Sequence, residues 1–336
     1  MSSIALLFAL LLGLPLSLGS GAAPTIVQTD AGALVAWRNA SLKVTLAGSG
    51  ASTTLLDHDP AAYALATHGP ESLAVWADGA KLTAIRLDGR GIPIGEAFTI
   101  ANTTTAQVAA SADGERYVVA WPGLFGDIWA LVLDREGGIV LPPMPVTTQS
   151  SDTPTSLHVA SNGESFLITW TSGRRVFAQL VDDSGVPRTF LPVQVTNVGG
   201  PSDVASNGRD FFIVWHRAPN GFGLGTTAVS ADGAVGDELL LTEGTDGLPR
   251  VTWDGSAYAV AYNTLVRFGS REVPLMIIAR FGANGFPIES SSLAALGEKA
   301  IAARNGHIAL AYVETGSVMV AFADAAPIAA RRRAIR

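Results

Sequence analysis

The chain contains no cysteine in 336 residues. That single absence removes disulfides, thiolate zinc sites, iron–sulfur clusters, a cysteine nucleophile and the lipid-modified cysteine of a lipoprotein. Charge is also sparse: Asp, Glu, Lys and Arg make up 15% of the residues, and the net charge is −7. Lysine occurs only at positions 43, 81 and 299. A chain this acidic lacks the basic face that phosphates demand, so nucleic acid is not expected as a partner. Helical periodicity is nearly missing too, because glycine and proline interrupt the sequence at intervals of about ten residues. The familiar catalytic signatures are absent as well. There is no G-x-S-x-G elbow, no H-E-x-x-H helix and no G-x-x-x-x-G-K phosphate loop.

Apolar residues, by contrast, make up 48% of the chain, ample for a large core. An uncharged stretch from Ile4 to Leu18 is followed by small residues, with Ser20 and Ala22 at the −3 and −1 places of a signal-peptidase site. The segment Met1-Ser2-Ser3 before it carries no Lys or Arg, unlike a typical leader. The expectation is an export leader at 1–22 and a secreted or periplasmic mature chain with no membrane span.

The dominant signal is a repeat. Short apolar runs end on an aromatic at Trp37, Trp76, Trp121, Trp170, Trp215, Tyr262 and Tyr312, spaced 39, 45, 49, 45, 47 and 50 residues apart. Five of the seven tryptophans take this one position, which marks it as packing between repeats and not as a sugar-stacking surface. Seven residues before three of these aromatics stands the glycine of an Asn-Gly or Asp-Gly turn, Asn162-Gly163, Asn207-Gly208 and Asp254-Gly255. Such pairs favour two-residue hairpins, where both positions need positive φ. A third strand follows each aromatic, as in Phe177 to Asp182, then a Gly-x-Pro turn such as Gly185-Val186-Pro187 and a more variable fourth strand. Four short antiparallel strands at this period are the signature of a propeller blade.

The unit from Pro154 to Pro187 resembles a repeat of secreted bacterial β-propellers, P-x-V-A-x-N-G followed by F-L-V-x-W, an A-Q-x-V-D strand and a G-x-P turn. The resemblance spans essentially the whole mature chain. It implies a fold and no assigned activity. The expected fold is therefore all-β, a β-propeller of seven four-stranded blades, with six or eight as alternatives. One domain at 23–336 would hold blades at 24–60, 61–104, 105–153, 154–199, 200–246, 247–295 and 296–336. The last has a poor fourth strand, which leaves open whether the ring closes by exchanging one.

Inner strands line the channel of a propeller. The residue before the Val-Ala pair or its counterpart in repeats three to six is Gln107, His158, Asp203 and Arg250, a set of polar groups expected at one channel mouth. His158 and Asp203 are expected to pair across neighbouring blades, with Arg250 offering a planar fork to an anion. On the same face, longer loops between second and third strands are expected at Pro122–Asp127, at His216–Gly223 with Arg217 and Phe222, and at Asn263–Pro274 with Arg267 and Arg271. Loops lengthened on one face of a repeat array often carry binding. Asp182-Asp183-Ser184-Gly185 lacks the alternating spacing of a calcium loop and reads as a turn. No metal or cofactor is expected. The leading expectation is an exported, monomeric, non-catalytic module that binds a protein, peptide or glycan on its loop-rich face. The alternative is a hydrolase or lyase for a sugar or lactone-like substrate, with His158 as base, Asp203 orienting it and Arg250 holding negative charge.

Overall fold

The computed structural model describes residues 8–9, 12–147, 152–217, 223–242, 245–268, 271–293 and 297–325. Its seven sheets, each with four antiparallel strands, stand in a ring, a seven-bladed β-propeller with no helix among the described residues. Blade four shows how the repeat folds, with strands Thr155–Ser161, Ser165–Ser172, Arg175–Asp182 and Val193–Thr196 in consecutive order. Its first turn forms because the Asn162 side chain accepts the N–H groups of Glu164 and Ser165 at 3.0 and 2.8 Å, while Gly163 takes φ +92°.

The seven anchor aromatics are buried, none more than 9% exposed. Each joins the apolar cluster between its own blade and the preceding one. Trp121 packs with Val75 and Leu82 of blade two, Trp215 with Leu167 and Val176 of blade four. The ring closes in the same way, since Trp37 of blade one lies among Ala309, Val318 and Val320 of blade seven. The Gly-x-Pro turns latch neighbours together. Gly185 of blade four, at φ +85°, sits so close to blade three that a Cβ would meet Val132 Cγ2 at 2.6 Å. Glycine is required there both by the backbone angle and by the space. The Asp182 carboxylate serves this turn internally, accepting the N–H groups of Ser184 and Val186 at 3.0 and 2.9 Å.

Blades one to five are each continuous in sequence, and the four strands of blade six gain a short fifth, Phe8–Ala9, which pairs parallel to its outer strand at Glu289 and Ser290. Blade seven takes Lys299–Arg304, His307–Glu314 and Ser317–Asp324 from the C-terminal end and completes itself with Leu16–Ser20 from the other end. Leu16 pairs with Val320 and Ser20 with Ser317, antiparallel. The sequence supports this role: Leu14-Pro15-Leu16-Ser17-Leu18 repeats the pattern of Leu191-Pro192-Val193-Gln194-Val195 at the outer strand of blade four. These residues lie inside the span expected as a leader, so one segment answers to two descriptions. The poor fourth strand foreseen near the C-terminus lies outside the described residues.

Blade six departs from the pattern in two ways. Its second and third strands, Tyr258–Phe268 and Arg271–Phe281, run far past the others. The expected loop at Asn263–Pro274 is instead a paired ribbon, with Asn263 opposite Met276 and Arg267 opposite Glu272. Its β-branched and apolar residues, Thr264-Leu265-Val266 facing Val273-Pro274-Leu275, continue the ladder because no turn residue interrupts them before Gly269-Ser270. The blade also buries a charge cluster. The fully buried Arg280 donates from Nε to Asp254 at 2.5 Å, from its other nitrogens to Ser256 Oγ at 2.7 Å, and to Glu289.

Two outcomes are expected. Arg280→Leu leaves two buried carboxylates without their cation and should cost about 3–5 kcal/mol in a denaturant titration. A chain beginning at Ala23 lacks the outer strand of blade seven and should melt several degrees below one beginning at Leu12. Equal melting of the two would show that the strand adds nothing to the fold.

Candidate functional site

Each inner strand places one residue opposite the position just before the anchor aromatic. Around the ring these are Thr25, Ala64, Ala109, His158, Asp203, Arg250 and Ala300. Three neighbouring blades thus contribute polar side chains at this level, and the other four contribute alanine or threonine. The channel is lopsided, polar on one side and nearly bare on the other. A cavity of about 620 Å³ occupies the channel at this level and is lined by residues of all seven blades, the three polar ones included.

Gln107 is not part of that level. The Val-Ala pair at 108–109 imitates the pairs that follow His158 and Asp203, but Ala109 faces Ala120 and Ala110 faces Val119. Blade three is therefore read two residues later, and Gln107 falls ahead of its inner strand. The position of Asp113-Gly114, seven residues before Trp121, carries the correct phase. Gln107 ties blades together there, donating to the Pro154 carbonyl at 2.8 Å and accepting Leu157 N–H at 3.4 Å.

The other three residues do converge. His158 Nδ1 lies 3.2 Å from Asp203 Oδ1, and Arg250 NH1 lies 3.4 Å from His158 Nε2. Asp203 is held in turn by the backbone. Its Oδ1 accepts Val204 N–H at 2.8 Å and its Oδ2 accepts Val251 N–H at 2.9 Å. Arg250 Nε donates to the Lys299 carbonyl at 3.2 Å, which reaches blade seven. Burial pushes the His158 pKa down from 6.5 to about 4; Asp203 opposes the shift and Arg250 reinforces it. The ring is accordingly neutral near pH 7, with Nδ1–H directed at Asp203 and the Nε2 lone pair at Arg250. Its side chain is 25% exposed and that of Asp203 is 11% exposed, so the chain of bonds forms the cavity wall and is not hidden between blades. In this geometry His158 offers no unoccupied base. The nearby Ser156 hydroxyl donates to the Ser202 carbonyl at 2.8 Å and accepts Ser202 N–H at 2.9 Å.

Two further residues border the cavity without having been singled out by sequence. Arg38 follows the anchor of blade one, and Tyr63 sits on the inner strand of blade two. Tyr63 donates its hydroxyl to the Ala23 carbonyl, and burial raises its pKa above the ordinary tyrosine range. Arg38 had a signal available: it is the only cation immediately after an anchor aromatic, where the other blades carry Ala77, Pro122, Thr171, His216, Asn263 and Val313.

The loop residues do not join this cluster in the same way. His216 is half-buried at the end of its strand, and Arg217 lies 3.3 Å from Glu238 in its own blade. Phe222 lies outside the described residues. Arg267 and Arg271 belong to the tip of the blade-six ribbon, where the described structure is confined to the backbone.

No family model matches the chain, and no curated protein matches it. Solved structures do match. The WD40 domain of Toxoplasma gondii coronin is similar over 96% of this chain and 88% of its own, with 10% identity and a TM-score of 0.61. Kuenenia stuttgartiensis hydrazine synthase is similar over 89% of this chain and 95% of its own, with 14% identity and a TM-score of 0.60. A β-propeller domain from Myceliophteria thermophila follows at 12% identity, a TM-score of 0.55, and 92% and 98% coverage. At such identities the likeness shows the propeller fold alone, a fold that commonly serves as a binding or scaffold module and that some enzymes also use.

Proposed function

We propose that this protein is an exported, non-catalytic binding propeller whose ligand seats in the channel mouth. One observation carries the reading: an open cavity bounded by a hydrogen-bonded Asp203–His158–Arg250 chain in which the base is already engaged at both nitrogens. Such a frame is organised before any ligand arrives, so it orients a partner at low entropic cost. Pockets of this size suit a drug-sized molecule or the end of a longer chain. A protein or peptide segment is favoured over a glycan, because Tyr63 is the only benzenoid ring among the described residues of the lining. The paired ribbon of blade six would extend the contact.

The test is a panel of peptides and glycans against the wild type and Ala64→Trp, which places an indole in the bare half of the channel. Binding that is lost in the variant supports the mouth as the site; undiminished binding overturns it. A hydrolytic reading draws on the 3.2 Å Asp203–His158 contact, which matches an orienting acid beside a base. It requires a substrate that draws Arg250 away, and turnover of a glycoside or lactone that disappears in Asp203→Asn would support it.

Export is part of the proposal. Ser20 and Ala22 would direct cleavage before Ala23, whereas the pairing of Leu16–Ser20 with blade seven favours their retention. N-terminal sequencing of the protein recovered outside the cytoplasm distinguishes the two: a start at Ala23 supports the leader, and a start before Leu16 supports the closing strand.

A pH prediction follows from His158. Folding lowers its pKa from 6.5 to about 4, so as pH falls the unfolded chain binds this proton first. The stabilisation is whole above pH 6.5 and is lost progressively down to pH 4, by about 3 kcal/mol in all. Chemical unfolding across this window should show that slope in the wild type and a flatter one in His158→Gln. Identical slopes would place the pH dependence elsewhere.

A further inference from the structure

The charges around the cavity are unevenly satisfied. Arg38, Arg250 and Lys299 border it, with Asp203 and Glu298. Both carboxylates are engaged: Asp203 by two backbone N–H groups and His158, and Glu298 by Ala23 N–H at 2.5 Å. Arg38 is different, because its guanidinium makes no hydrogen bond or ion pair among the described residues. Arg250 uses Nε and NH1 on Lys299, His158 and Pro249 and leaves NH2 without a partner there. Guanidinium donors in a partly desolvated wall favour an anion, and their planar fork fits a carboxylate. The same lining includes the aliphatic Ala64, Ala109, Val251 and Ile301.

We propose that the channel mouth binds the carboxylate of a small aliphatic acid or of a peptide's C-terminal residue, with Arg250 and Arg38 holding the charge and the alanine wall receiving the hydrocarbon. The inference rests on the reading of the mouth as the binding site. It makes Arg38 a specificity-determining residue. It also gives the Asp203–His158 pair a role: His158 accepts from Arg250 NH1 and so restrains the guanidinium plane.

The experiment is calorimetric titration of the whole folded chain with 4-methylpentanoate and N-acetyl-leucine, each beside its carboxamide. The acids should bind, and the amides should bind at least about tenfold more weakly, as expected for loss of a charged hydrogen bond. Arg250→Gln and Arg38→Gln should each weaken the acids by a similar factor and leave the amides unaffected. Arg250 also supports the Lys299 carbonyl, so its variant can perturb the fold; Arg38→Gln should melt like the wild type and carries the test alone. Tighter binding of N-acetyl-leucine than of 4-methylpentanoate identifies a chain terminus as the source of the carboxylate, and the reverse identifies a free acid. Equal binding of acid and amide, abolished by Ala64→Trp, would overturn the carboxylate and spare the site. Binding unaffected by Ala64→Trp would overturn the site itself. Absence of binding by all four compounds at millimolar concentration would overturn the carboxylate inference.

Discussion

Everything in this molecule depends on the packing of one blade's anchor aromatic against the strands of the blade before it. A single four-stranded sheet has two faces and too little core to cover either. Seven such sheets cover one another only if the last reaches the first, and Trp37 among Ala309, Val318 and Val320 is that closing contact. The Gly-x-Pro turns reinforce the contact from outside. Gly185 lies against Val132 of the neighbouring blade at a distance no other residue would permit. Once the ring is closed, the inner strands are held around one axis, and the side chain each blade presents there is set by its register.

That register produces the site. His158, Asp203 and Arg250 come from three separate repeats and meet because each stands opposite the residue before its own anchor. Burial favours the neutral imidazole, and two backbone N–H groups hold the Asp203 side chain in place. The result is a His that links an acid to a guanidinium. The alanines at the same level on other blades have the opposite effect: they supply no group and leave space. A polar half and an empty half make a cup, where seven polar residues would have filled the channel.

Much of this was legible in the sequence because the governing signals were periodic. The anchor spacing defined seven blades, the Asn-Gly turns set the phase, and that phase placed His158, Asp203 and Arg250 together. The failures have local causes. Gln107 lines the cavity with the other three but stands two residues ahead of their level, because Val108-Ala109 imitates the inner-strand pair two residues early, although Asp113-Gly114 held the right phase. The stretch from Asn263 to Pro274 read as a loop because its length was noticed before its strand-forming residues. Leu16–Ser20 is a different case: it has both the hydrophobicity of an export segment and the pattern of an outer strand, and hydrophobicity alone does not separate the two. The Arg280 cluster and the openness of Arg38 were beyond sequence, since both depend on which side chains meet across a blade and not on any repeated pattern.

The central claim is that the Asp203–His158–Arg250 chain is a pre-ordered, neutral-histidine frame and not a titrating base. Nitrogen-15 NMR of the His158 ring between pH 7 and pH 4 tests it most directly. A neutral imidazole protonated at Nδ1 is expected through most of this range, with protonation of Nε2 only as pH approaches 4. A ring that titrates near 6.5, or that carries its neutral proton on Nε2, would contradict it.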